Sequence, residues 1–142
     1  MIFHDHILNS PILGFAHHRL IIDDEGKPVD YEFLEINKTF EKITGLKKEA
    51  IISRTVREVI PGIENSNFNW IAFYSDIALN NGESEFEQFS EPLGKWYRVF
   101  VHSAEKFYFT TIFIDITNAK KAEEELILAK EKAEDIERKR IC

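Results

Sequence analysis

Cysteine is nearly absent from this chain: one residue, Cys142, stands at the last of 142 positions. No internal disulfide can form, and a cysteine-based metal site lacks ligands. The pattern suits a reducing compartment. Long apolar runs are also missing. Nothing approaches the ~20 residues that span a bilayer, and the start, Met1 to Leu8, has neither the basic residues nor the apolar stretch of a secretory signal. A cytoplasmic location is the expectation. Glycine and proline are scarce, at six and four residues, and neither occurs between Phe107 and Ile141. A β-rich run there passes straight into charged helical sequence, so a shift in the strand would move the helix mechanically. That layout suits transmission better than catalysis.

Charge is unevenly distributed. The net charge is −7, yet Asn118–Cys142 holds seven Lys/Arg against seven Asp/Glu, which leaves the whole excess on residues 1–117. An acidic domain is repelled by phosphate backbones and anionic lipid, which argues against nucleic acid or a membrane surface as a direct partner. With 44% apolar and 13% aromatic residues, this length buries one ordinary core. The expected division is an N-terminal flank over 1–10, one domain over 11–117 and a helical connector over 118–142. The helical pattern runs to Ile141 and Cys142 without a stop signal, so the native chain is expected to continue.

Residues 12–23 and 29–36 are β-rich and flank Asp24, Glu25, Gly26, Lys27 and Pro28, which predicts a hairpin. Asn37 then opens a helical pattern with Phe40, Ile43 and Thr44 that Gly45 closes. Helical turns are expected over 47–52 and 55–60. A longer amphipathic helix over Trp70–Leu79 places Trp70, Phe73, Tyr74 and Ile77 on one face. Strands over 84–89, 95–103 and 107–116 follow with short links, hence an antiparallel meander. The fold class is α+β: a five-stranded antiparallel sheet, short helices on one face, and a C-terminal helical extension.

Alternation in the last two strands is apolar on both sides. Trp96, Arg98, Phe100 and His102 share one face of their strand, opposite Tyr97, Val99 and Val101. Phe109, Thr111 and Phe113 oppose Tyr108, Thr110, Ile112 and Ile114. An antiparallel sheet usually keeps one face wet. Each side here needs a cover: helices on one, and an N-terminal segment or a second subunit on the other.

Several stretches, taken in order, resemble the PAS domain of bacterial signalling proteins. They are Asn37 to Leu46, Lys48 to Ile52, Val59 to Pro61, Gly94 to Tyr97, and the closing triplet Asp115, Ile116 and Thr117. The likeness spans roughly residues 10–118. Ser53 and Thr111 depart from it, each standing where the family often has glycine. The resemblance implies a sensory or regulatory role and an output domain in the same chain, a histidine kinase or a diguanylate cyclase of two-component or related signal transduction. It implies a core pocket, assigned here to Leu34, Phe40, Ile43, Phe73, Tyr74, Val99, Phe109, Thr111 and Phe113. It also implies a signal hinge at Asp115, Ile116 and Thr117, where Thr117 or Asn118 is expected to cap the helix. Thr111 projects into that pocket and makes a bulky flat cofactor less comfortable.

The C-terminal helix spaces Ala119, Ala122, Leu126, Ala129, Ala133, Ile136 and Arg140 as a heptad seam. The alternative is a solvated single helix held by charge pairs four residues apart. A mostly alanine seam pairs weakly, which suits a signalling connector. The expected homodimer face joins Trp96, Phe100, Ile112 and Ile114 to Ala122, Leu126, Ala129, Ala133 and Ile136.

The cofactor is left unknown. The five histidines, His4, His6, His17, His18 and His102, do not cluster, so no metal site is expected. Haem-binding relatives supply an axial histidine from or just beyond the longer helix, and Trp70–Leu79 holds none. LOV-type cysteinyl flavin needs a cysteine within the domain, and none is there. A small organic ligand held through His17 or Arg98 stays open beside a ligand-free dimerisation module with a solid core. No nucleophile elbow, phosphate loop or metal spacing marks an enzyme in these residues.

Overall fold

The computed structural model describes residues 6–141; His4 and Cys142, which entered the readings above, lie outside the described residues. Two strands, β1 (Gly14–Ile22) and β2 (Pro28–Ile36), form the N-terminal hairpin. Three short helices follow, α1 (Lys38–Thr44), α2 (Lys48–Ile51) and α3 (Val56–Val59), then a single 3-10 turn over Ile63–Asn65 and the longer α4 (Trp70–Leu79). The meander β3 (Glu83–Ser90), β4 (Lys95–His102) and β5 (Tyr108–Asp115) leads into α5 (Thr117–Ile141). The strand order is β2-β1-β5-β4-β3, antiparallel throughout. The hairpin and the meander are joined by pairing of β1 with β5, a contact between segments about ninety residues apart.

Local chemistry explains the helical cover. Asn37 caps α1: its Oδ1 accepts from the Phe40 N–H at 2.8 Å and the Phe15 N–H at 2.9 Å, while its Nδ2 donates to the Ile7 and Leu13 carbonyls. One side chain thus ties helix, strand and N-terminal segment together. Gly45 ends α1 at φ 79, a conformation that costs a residue with Cβ. Gly14 is required for another reason, since a Cβ there would stand 2.8 Å from Ile43 Cδ1 and 3.1 Å from Phe40 Cα. Ser53, where the resemblance expects glycine, adopts φ 65. Backbone bonds to Phe33 on both sides of it hold that left-handed turn against β2.

The core lies between the sheet and α1–α4. Ala16, Leu20, Tyr31, Phe33 and Ile36 face inward from the hairpin, and Tyr97, Val99, Val101, Phe109 and Thr111 from the meander. Trp70, Ile71, Tyr74, Ile77 and Ala78 meet them from α4. Leu34 corrects the sequence reading. The β1–β2 register steps from His17 opposite Glu35 to His18 opposite Phe33, so Leu34 sits at a β-bulge. The bulge resets the alternation and turns Tyr31, Phe33 and Ile36 inward in its place.

Candidate functional site

Two features carry functional weight: a small cavity in the aromatic core and the junction of β5 with α5. The cavity measures about 40 Å³ and is lined by His18, Tyr31, Phe33, Trp70, Tyr74 and Tyr97 among others. Of the residues assigned to a pocket from sequence, Phe40, Tyr74 and Phe113 line it. Val99, Phe109 and Thr111 are buried in the core without lining it, and Ile43 and Phe73 are partly buried against that core. Leu34 is not among its walls.

His18 is the polar centre of this region. It is 2% exposed and stacks on Phe109 at 4.6 Å between centroids, while the Tyr74 ring lies 5.0 Å from Phe109 and 6.5 Å from His18, near-parallel to both. Tyr31 and Phe33 meet the His18 ring edge-on. Its Nε2 lies 3.0 Å from Thr111 Oγ1, so Thr111 supplies the histidine's partner. Desolvation, aided by neighbouring His17, pulls the His18 pKa down to about 3, and the ring is neutral. Burial likewise pushes the Tyr31, Tyr74 and Tyr97 hydroxyls upward. Tyr97 donates to the Ile43 carbonyl at 2.6 Å and fastens β4 to the end of α1.

The polar residues proposed from sequence for a ligand face elsewhere. His17 points to the opposite side of the sheet, where its Nδ1 meets Thr110 Oγ1 at 2.9 Å. Arg98 pairs with Glu85 on that same outer side. Sequence reasoning passed over His18, although a signal was there: it alternates with Ala16 and Leu20, both of which are core residues.

The β5–α5 junction is stapled to β4. Asp115 Oδ1 accepts from the Thr117 N–H at 2.9 Å, and this carboxylate caps the helix. Thr117 instead turns its hydroxyl back to accept from the Trp96 N–H at 3.0 Å, and the Ile116 N–H donates to the Trp96 carbonyl at 3.0 Å. Capping by Thr117 or Asn118 is therefore replaced by capping through Asp115, because the Thr117 hydroxyl is engaged by the sheet. One turn on, Lys120 reaches Glu87 of β3 at 2.8 Å and lies 5.1 Å above the Trp96 ring. That hydrogen bond holds the Glu87 carboxyl below its ordinary value and raises the Lys120 ammonium.

On the outer face, Phe100 pairs with Ile112 and Arg98 with Ile114, and Trp96 lies beside Phe89. Trp96, Phe100, Ile112 and Ile114 are half-buried. Residues 121–140 of α5 are exposed all round, with Leu126 at 72% and Ile136 at 51%. Ile127 and Leu128, which the heptad reading leaves off the seam, are exposed as well. No described helix is long and apolar enough to cross a membrane.

No protein-family model and no curated protein matches the sequence. Solved structures do match. An RNA-binding light-oxygen-voltage receptor superposes with a TM-score of 0.61 at 11% identity; the match covers 94% of this chain and 37% of that one. The LOV domain of a blue-light activated histidine kinase from Erythrobacter litoralis EL346 gives 0.52 at 18% identity, covering 74% and 96%. A domain of a sensory box sensor histidine kinase/response regulator from Geobacter sulfurreducens gives 0.54 at 12%, covering 79% and 91%. LOV domains are a PAS subfamily. The flavin of LOV-type photochemistry does not fit this core, where the cavity is about 40 Å³ against the ~300–1,000 Å³ of pockets that hold ligands of that size. His18, Phe109 and Tyr74 fill the adjoining core as a cluster of mutually packed rings. Strand order, helical cover and these neighbours make the chain a PAS-type α+β domain in fold.

Proposed function

We propose that this chain is a cytoplasmic sensory or regulatory module that dimerises and drives a downstream output domain of the same protein through α5. The output is a histidine kinase or a diguanylate cyclase, and the residues here perform no catalysis themselves. The observation that carries the reading is the stapled junction. Ile116, Thr117 and Lys120 bind the start of α5 to β4 and β3, and Asp115 at the end of β5 accepts from its first N–H, so a displacement of the sheet is passed to the helix without a flexible link. Two of the neighbours come from histidine kinases, which supports the choice of output. The RNA binding named for another neighbour is not carried over, because residues 1–117 hold the whole net charge of −7.

Dimerisation is supported by the half-buried apolar row Trp96, Phe100, Ile112 and Ile114 and by the exposed seam Ala122, Leu126, Ala129, Ala133 and Ile136. Light scattering on the chain is expected to give twice the 16.6 kDa monomer mass, and a monomer at all concentrations sinks the dimer. In the full-length protein, Asp115→Ala is expected to alter output while the domain stays folded; output unchanged across conditions refutes the hinge. A second reading, a ligand-free module whose α5 aligns two effectors, is favoured by one observation: the core is packed to within a cavity of about 40 Å³.

A further inference from the structure

Contiguous apolar side chains left in water mark a surface that a partner covers. Helix α5 carries three in a row: Leu126, Ile127 and Leu128 are 72%, 49% and 58% exposed. Successive residues turn about 100° round a helix, so one straight seam does not use all three. Leu126 shares a seam with Ala122, Ala129 and Ala133. Ile127 and Leu128 lie about 100° and 200° further round, and with Trp96 of β4 they line a groove of about 320 Å³ between α5 and the sheet. Its floor is apolar. Its rim is acidic, with Glu123, Glu124 and Glu131 on α5 and a single cation, Lys120, at the domain end.

Lys120 does not neutralise that rim. Its ammonium is engaged by Glu87 at 2.8 Å and by Glu123 at 3.8 Å. Glu124 and Glu131, which bracket Ile127 and Leu128, have no ion-pair partner among the described residues. A second copy of α5 fits poorly here. Laid parallel and in register, it sets Glu124 against Glu124 and Glu131 against Glu131; laid antiparallel about Ile127 and Leu128, it sets Glu124 against Glu131. Like charges facing one another across an apolar strip repel most strongly once water is excluded. Anionic lipid and nucleic acid are repelled for the same reason.

We propose that the groove between Trp96 and α5 docks a cationic amphipathic helix of another protein. Its apolar side packs on Trp96, Ile127 and Leu128, and its lysines or arginines pair with Glu124 and Glu131, a helix-in-groove mode of recognition. A partner seated there touches sheet and rod together, at the junction through which the domain is proposed to signal. The inference rests on the part of the dimer reading in which α5 pairs through its alanine seam, because that pairing leaves the groove facing outward.

The probes are two synthetic helical peptides of about 14 residues, one of leucine, alanine and lysine in amphipathic order and one with glutamate in place of lysine. Each is titrated into the 142-residue chain while the tryptophan indole and isoleucine methyl signals are followed by NMR. The lysine peptide is expected to shift Trp96 and Ile127 saturably, with a dissociation constant of about 10–100 micromolar. Trp70, 5% exposed in the core, should stay in place, and the glutamate peptide should shift neither signal. Leu128→Ser is expected to weaken the lysine peptide about tenfold, as is the joint replacement Glu124→Gln with Glu131→Gln. All three sites are exposed, so the domain stays folded. Leu126→Ser, on the seam, is expected to keep the affinity within about twofold.

Equal binding of the glutamate peptide, undiminished affinity in Leu128→Ser or in the glutamine variant, or an equal loss in Leu126→Ser overturns the proposal. So does a second copy in the groove, seen as Trp96 and Ile127 signals that move with the chain's own concentration and ignore the lysine peptide. Light scattering separates this test from the dimer reading. A monomer that binds the lysine peptide keeps the docking groove and removes the dimer, and a dimer that does not bind it does the reverse.

Discussion

The inner face of the sheet and helix α5 both carry apolar residues at regular spacing, and they meet opposite fates. Tyr97, Val99 and Thr111 are completely shielded, whereas Leu126 and Ile136 are 72% and 51% exposed. The strands alternate with period two, and the chain supplies α1–α4 as their cover. Helix α5 leaves the domain after its first turn, and its residues 121–140 bury against nothing among the described residues. Regular apolar spacing alone therefore does not mark a core; it marks a surface that needs a partner. For the sheet, that partner is in the same chain. For α5, a rod of about 37 Å at 1.5 Å per residue, the proposed partner is a second copy.

Four substitutions probe this contrast, from the core outward. Phe109→Ala removes a ring that packs against both His18 and Tyr74 and is expected to cost about 3–5 kcal/mol in chemical denaturation; a loss below about 1 kcal/mol would mean that this aromatic cluster is not central to the fold.

Acid is expected to act next, through His18. Its folded pKa, about 3, lies below the ordinary 6.5, so the unfolded chain binds the proton more readily between those values. Stability from this group is intact above about pH 6.5 and is lost as the pH falls toward 3. The loss is on the order of 2 kcal/mol at pH 5. His18→Phe should flatten that limb of a stability-against-pH curve, and an unchanged limb would place the acid sensitivity elsewhere.

At the boundary of the two regions, Asp115→Ala removes the cap of α5 and is expected to lower domain stability by about 0.5–1 kcal/mol, with the first turn of the helix losing amide-exchange protection. Smallest of all, Leu126→Ser on the rod should leave domain stability within about 0.5 kcal/mol of the parent, yet shift the mass distribution toward monomer. A large loss of stability from Leu126→Ser would break the distinction between core and rod.

Much of the architecture was readable from local signals. Asn37 and Gly45 bracket α1 because a side-chain acceptor and a left-handed residue are what a helix needs at its two ends. The short links Glu91–Gly94 and Ser103–Phe107 leave β3, β4 and β5 little choice but to pair in sequence. The pocket was less legible. Leu34 was assigned to the pocket, but the bulge beside it turns Tyr31, Phe33 and Ile36 inward instead. His17 was preferred to its neighbour, although adjacent residues on a strand face opposite ways. At the hinge, Thr117 was expected to cap α5, but its hydroxyl is drawn to Trp96 on a strand some twenty residues earlier.

By itself, then, the sequence determined what depends on neighbours along the chain: the helices and their caps, the strands and their turns, the acidic domain and the neutral, unbroken passage into α5. Tertiary structure alone decided what depends on residues far apart in the chain. Pairing of β1 with β5 brings His18 to Thr111, and the packing of α4 on the sheet brings Tyr74 to the same cavity. A bulge determines which side chains the core receives. Local propensity cannot encode these contacts, because each is settled by which distant surfaces bury one another most completely.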